Sequence, residues 1–345
     1  MAQRFTVVVT SDRYGNETEG LEMERAVVDE ITDLDIDLQG RPSASEDELI
    51  AAGADADALC VSTREAVTRR VLENLPRTKV ISRYGVGLDN VDLDAAADNG
   101  IVVTHYPGYC TSEVADHAMS MILGLNRRLV EQDRALREGD WVKFGPATRT
   151  ILRGPVWPLR EQTLGIVGFG RIGQSVAERA KPFGLKILAA DPYQEPAVME
   201  AHGVEPVSLN DLLDRSDIVT LHCPLTPETR GIIGAAELAR MRPTAVLVNT
   251  ARGPLIDLPA LAAALEAKAL AGAALDVVDP EPLPADSPFY RMNNVILTPH
   301  SAYYSEKSVE LVRRETLLEA IEVLRGKRPR TVANPAVLSK VHLEH

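Results

Sequence analysis

The chain has 345 residues, enough for two domains at roughly 150 residues each. It is 45% hydrophobic and 25% charged, with 37 Lys and Arg against 50 Asp and Glu, a formal charge of −13. A field of that sign repels phosphate backbones and anionic membranes, so neither is expected as a partner. Three cysteines, Cys60, Cys110 and Cys223, show no ligand-like spacing. They argue for a reducing compartment and against a disulfide framework or a metal site. No apolar run reaches the ~18 residues of a membrane span. Residues 5–9 read as a strand and not a leader, so a cytoplasmic location is expected. Leu343-Glu344-His345 resembles a truncated tag junction and is set aside from the fold.

Short β-branched runs alternate with Ala- and Leu-rich stretches, the pattern of parallel βαβ units. The first hundred residues predict strands at 6–10, 36–38, 58–61, 80–83 and 102–104, with helices at 21–31, 46–52 and 64–75. Residues 111–139 lack proline and carry apolar positions at helical spacing, predicting one long helix that opens at Thr111 or Ser112 and can pass between domains. Residues 140–160 hold three prolines and both tryptophans, and read as a surface loop in which Trp141 and Trp157 pack. Six further strands are predicted at 163–167, 186–190, 218–221, 245–249, 272–276 and 295–298, the size of a dinucleotide-binding domain. A helix follows at 305–324, capped by the basic run 325–330, and residues 329–335 run back onto the first domain.

Gly168-Phe169-Gly170-Arg171-Ile172-Gly173 places GxGxxG between a strand and a helix. Gly168 permits the tight turn, Gly170 the approach of a pyrophosphate, and Gly173 close helix–strand packing. The helix opening at Arg171 and Ile172 presents N–H groups to the phosphates. Asp191 ends the next strand, 18 residues past Gly173, where a ribose-binding acid is expected. Its carboxylate repels a 2′-phosphate, and no Arg or Lys follows before Glu195, so NAD is expected over NADP.

Three polar residues stand just after strands of that domain: Arg252, Glu281 and His300. Ligands of open parallel sheets bind at the carboxyl ends of strands. Arg252 offers a planar fork for the carboxylate and carbonyl of a 2-oxo acid. His300 can give a proton to the ketone oxygen as hydride arrives, or remove it in reverse. Glu281 beside the imidazole would fix its tautomer and favour its charged form.

From about Tyr84 to Pro335 the chain resembles the D-isomer-specific 2-hydroxyacid dehydrogenase family. The motifs are Gly168–Gly173 with Asp191, Leu247–Gly253, Gly272–Val277 and Thr298-Pro299-His300, with Arg-to-Glu and Glu-to-His spacings of 29 and 19. Within the family the loop Arg83–Asn90 and the segment His300–Ser305 are most similar to the C-terminal binding protein-like group.

The resemblance implies an α/β fold of two domains, a Rossmann-type NAD-binding domain inserted into a flavodoxin-like substrate domain. The substrate domain would be discontinuous, 1–112 and 305–335, around an NAD-binding domain at 113–304, with 336–345 a tail. Crossing twice, the chain would form a hinge that closes over substrate. The resemblance gives Arg252, Glu281 and His300 the roles above. It has Asp276 hold the nicotinamide carboxamide, Val114 pack near the ring, and His222, Cys223, Pro224, Thr250 and Ala251 line the cofactor cleft. Arg83, Gly85 and Val86 would bind the substrate carboxylate, and Tyr303, where Trp is usual, would flank its side chain. A homodimer and a 2-oxo or 2-hydroxy acid substrate are implied. The alternatives are an NAD(H)-sensing regulatory protein of the C-terminal binding protein type, or a phosphoglycerate dehydrogenase. His117, one turn from Glu113, reads as a solvated or interface histidine in preference to a metal ligand or proton relay. His105, Tyr106 and Tyr109 could face the cleft or pack.

Overall fold

The computed structural model describes residues 3–11, 20–140 and 156–344. The chain divides into two units, Met1–Tyr109 with Ser305–His345, and Cys110–Tyr304. In the first unit β1 (Arg4–Val9), β2 (Asp35–Gly40), β3 (Ala58–Val61), β4 (Val80–Arg83) and β5 (Val102–His105) form a parallel sheet in the order β2-β1-β3-β4-β5. That is the flavodoxin-like order. Val7 and Val9 enter one core with Val312, Leu317 and Ile321, and Val8 enters another with Leu59, Ile81 and Val103. Burial on both faces explains why β1 and β3 are apolar runs without alternation, whereas the edge strand β2 alternates polar and apolar residues.

The helix Glu306–Leu324 opens on Ser305, whose hydroxyl accepts from the Ser308 N–H at 3.0 Å. This is the local N-terminal signal that stops the helix from starting earlier. Its Arg313 donates through Nε to buried Glu24 at 2.8 Å, tying it to the helix Glu22–Asp29. Arg325 stands at its C-cap and pairs with Asp33 at 2.6 Å. The residues set aside as a tag junction belong to this unit. Leu343 packs on its core, and the Glu344 N–H donates to the Gly326 carbonyl at 2.7 Å.

The second unit carries β6 (Thr163–Val167), β7 (Lys186–Ala190), β8 (Glu205–Pro206), β9 (Ile218–Leu221), β10 (Val246–Asn249), β11 (Gly272–Leu275) and β12 (Val295–Leu297). They form one parallel sheet, β12-β11-β10-β9-β6-β7-β8, the doubly wound order with an added edge strand. Seven strands replace the expected six because the two-residue Glu205–Pro206 is too short for a periodicity reading.

The predicted helix over 111–139 is also corrected. It runs Thr111–Asn126 and breaks where Arg128 takes φ 52, before Leu129–Ala135 and a π turn at Leu136–Asp140. An arginine can adopt that left-handed conformation only at a cost in energy, so propensity gave no warning of it. The Thr111–Asn126 helix lies within the second unit and buries Ala115, Ala118, Met119 and Ile122 beside Leu164 and Ile166. Of the expected loop over 140–160, residues 141–155 with Trp141 lie outside the described residues, and Leu159–Glu161 is a 3-10 turn. Trp157 does not pack as expected but stays 54% exposed.

Candidate active site

The carboxyl edge of the second sheet gathers the predicted polar residues. Gly168 follows β6 with φ 90, and a Cβ there would lie 2.5 Å from the Cys223 nitrogen after β9. A Cβ on Gly173 would lie 2.3 Å from the Gly168 carbonyl oxygen. Both positions therefore require glycine. Gly170 has no protein atom within 4 Å of its missing Cβ, leaving open space over the loop. The helix Arg171–Ala180 starts beside that space. Asp191 accepts from the Phe169 N–H at Oδ2 (2.8 Å) and from the Tyr193 N–H at Oδ1 (2.9 Å). One acid thus holds the glycine loop and keeps lone pairs on both oxygens for further donors.

β10, β11 and β12 are neighbours, so Arg252, Glu281 and His300 emerge on the same edge. Buried Asn249 knits the Arg252 turn, accepting from the Ala251 N–H (3.0 Å) and donating to the Arg252 carbonyl (2.8 Å). Arg252 itself donates through one terminal nitrogen to the Ala251 carbonyl at 2.8 Å. A Cβ on Gly253 would lie 2.0 Å from the Val278 carbonyl oxygen, so the Arg252 turn abuts the loop that leads to Glu281. Glu281 Oε2 lies 3.0 Å from His300 Nδ1. Because an ionised carboxylate only accepts, Nδ1 carries the hydrogen and Nε2 is left for other chemistry. His300 takes φ 52, and the Tyr303 ring stands edge-on to its imidazole at 6.4 Å.

Asp276 is buried and accepts from the Thr298 hydroxyl (2.5 Å), the Ser301 N–H (2.9 Å) and the Ala302 N–H (3.0 Å). Its backbone carbonyl accepts from the His300 N–H at 2.8 Å. The acid is thus built into the turn around His300. His117, read as a solvated or interface histidine, places Nε2 3.0 Å from the Thr298 hydroxyl oxygen. Asn249 and Thr298 lie inside motifs of the resemblance, Leu247–Gly253 and Thr298-Pro299-His300, which gave neither residue a role of its own.

In the first unit Arg83 is buried and donates to the Tyr84 carbonyl at 2.8 Å. A Cβ on Gly85, at φ 117, would lie 2.1 Å from that guanidinium. His105 Nδ1 lies 2.8 Å from the Val86 carbonyl oxygen, holding the same loop. Arg330 lies over the Tyr106 ring at 5.3 Å, and Tyr109 packs on the unit's core. Among the described residues no group of three His, Cys, Asp or Glu side chains is placed to hold a metal ion, and no helix is long and apolar enough to cross a membrane.

The model of the D-isomer specific 2-hydroxyacid dehydrogenase NAD binding domain matches residues 119–302. A glyoxylate reductase of Korarchaeum cryptofilum is 40% identical over 295 residues, 85% of this chain and 87% of that protein. The chain belongs to the D-isomer specific 2-hydroxyacid dehydrogenase family. A D-3-phosphoglycerate dehydrogenase of Methanocaldococcus jannaschii is 40% identical over 291 residues, 84% of this dehydrogenase but 54% of that protein. The crystal structure of D-lactate dehydrogenase from Aquifex aeolicus, complexed with NAD and lactic acid, is similar at a TM-score of 0.78. It is 28% identical and covers 98% of this chain and 99% of that one.

This dehydrogenase is accordingly an NAD-dependent oxidoreductase, and its second unit is the family's NAD-binding domain. Its own residues fit that cofactor. The glycine turn leaves open space beside a helix N-terminus, and Asp191 stands one strand away. Two buried polar atoms at the same edge, Thr250 Oγ1 and His222 Nδ1, have no protein partner. Burial pushes the His222 imidazole down to about 3 and the Cys223 thiol up to about 11, so both stay uncharged near neutrality.

Proposed function

We propose that this dehydrogenase reduces a short 2-oxo acid to the 2-hydroxy acid, reversibly, with NADH in preference to NADPH. The observation that carries the reading is the 3.0 Å contact of Glu281 with His300 Nδ1. Bound NADH supplies the hydride to the substrate carbon. His300 gives its Nε2 proton to the ketone oxygen, and Glu281 holds the ring by the opposite nitrogen. The Arg252 guanidinium is the group that binds the substrate carboxylate and polarises the ketone. In the reverse direction Nε2 takes the hydroxyl proton as hydride leaves carbon. Gly85 and Val86 offer backbone N–H groups suited to a carboxylate, in a loop that His105 and the buried Arg83 hold in place.

Val114 and Asp276 are read as residues on the nicotinamide side, and Pro224 and Ala251 as lining for the cofactor. Tyr303, edge-on to His300, is read as the ring that flanks the substrate side chain, and the glyoxylate reductases among the relatives support glyoxylate as the first substrate to try. The preference for NADH rests on the Asp191 charge at the ribose position.

The test follows NADH oxidation against glyoxylate, pyruvate, hydroxypyruvate and branched or aromatic 2-oxo acids. Turnover of the short acids is expected. Tight NADH binding with no turnover of any of them would overturn the proposal and favour an NAD(H)-sensing protein. Leu129, Val130 and Trp157 are exposed on the second unit, which supports a homodimer through that face. A monomer in sedimentation equilibrium at micromolar concentration would refute it.

A further inference from the structure

We propose that His117 is a positioning residue for His300, acting through the Thr298 hydroxyl and the Asp276 carboxylate. The inference rests on the acid/base role proposed above for His300 and adds a residue to that same site.

The direction of the hydrogen bonds follows from counting hydrogens. Asp276 Oδ1 lies 2.5 Å from Thr298 Oγ1 and, as a carboxylate, can only accept. Thr298 has one hydroxyl hydrogen and gives it there. Its oxygen must therefore accept from His117 Nε2 at 3.0 Å, which assigns the hydrogen of His117 to Nε2. The same Nε2 lies 3.7 Å from Asp276 Oδ1, and the Asp276 side chain is 1% exposed. The chain of donors thus runs one way, from the Thr111–Asn126 helix into a buried carboxylate.

That carboxylate is what holds the turn around His300. Thr298 precedes the histidine, and Ser301 and Ala302 follow it; all three donate to Asp276. Between them His300 adopts φ 52, a conformation that L side chains leave unless they are held. Without the His117 donor, the Thr298 oxygen loses its partner and the hydroxyl can rotate away from Asp276. The grip on one side of His300 then loosens. Misplacement of a reacting group by about 1 Å costs on the order of a hundredfold in rate, so a partial loosening should cost about tenfold.

The experiment compares His117→Leu, His117→Gln and Thr298→Val in the full chain, by steady-state kinetics and by the side-chain ¹⁵N–¹H resonances of His300. His117→Gln keeps a donor at the ε position. The leucine variant should lower kcat for the 2-oxo acid about tenfold, leave its KM within about twofold, and shift the His300 Nδ1–H resonance. The glutamine variant should restore both, and Thr298→Val should match leucine, which also serves if His117→Leu does not fold. An unchanged kcat and His300 resonance in His117→Leu or Thr298→Val overturns the inference. Equal loss in the leucine and glutamine variants with a native His300 resonance does so too, because His117 then only packs. If the wild type reduces no 2-oxo acid, the reaction proposed above fails, while the His300 resonance still decides whether His117 positions that ring.

Discussion

Glu281 Oε2 sits 3.0 Å from His300 Nδ1, although the two residues stand on separate loops after adjacent strands. The contact leaves one ring nitrogen for the substrate and makes the other a fixed anchor. His300→Ala should lower kcat by about 10²–10⁴-fold, the range for a lost general acid, while NADH binding by fluorescence titration stays near wild type. Unchanged turnover would remove His300 from the mechanism.

Arg252 is predicted to act on substrate and not on cofactor. Replacing it by alanine removes charge-assisted hydrogen bonds of about 1.5–3 kcal/mol, so kcat/KM for the 2-oxo acid should fall about 10–100-fold or more. Arg252→Lys should recover only part, since a point charge cannot copy the planar fork. A lysine variant equal to wild type would contradict bidentate binding.

At the ribose position Asp191 carries two tasks, discrimination and support of the glycine loop through the Phe169 N–H. Asp191→Ala should lower the ratio of kcat/KM for NADH to that for NADPH. An unaltered ratio would show that cofactor choice lies elsewhere.

Two glycines of one turn should fail differently. Gly173→Ala forces a Cβ to within 2.3 Å of the Gly168 carbonyl oxygen and should destabilise the fold by about 1–3 kcal/mol, read as a lower Tm. Gly170→Ala meets no protein atom within 4 Å and should leave Tm unchanged while weakening NADH binding. Equal behaviour of the two variants would argue against a pyrophosphate over Gly170.

His222 supplies a pH signature. Burial pushes its imidazole down to about 3, against 6.5 in the unfolded chain. Between those values the unfolded state binds the extra proton, so stability falls as pH falls, by about 1.4 kcal/mol per unit. Urea midpoints from pH 7 to pH 5 should therefore drop more steeply for wild type than for His222→Gln. Identical slopes would mean that His222 takes up its proton as readily in the folded chain.

The sequence by itself determined the two parallel sheets, the glycine turn, and the places of Asp191, Arg252, Glu281 and His300 just beyond strand ends. Each of those features is local, since an apolar run, a glycine turn or a polar residue just past a strand is written in a short stretch of neighbouring residues. Beyond the pairing of Glu281 with His300, only the tertiary structure decided which polar groups meet. His117 reaches Thr298 across 181 residues, and Asp276 becomes the buried hub of the His300 turn only when β11 and β12 lie side by side. The break at Arg128 and the short strand Glu205–Pro206 also became visible only there, because neither a single left-handed residue nor a two-residue strand leaves a periodic pattern in the sequence. A side chain's donors and acceptors are known from its type, but whether they find protein, solvent or ligand depends on what the fold brings against them.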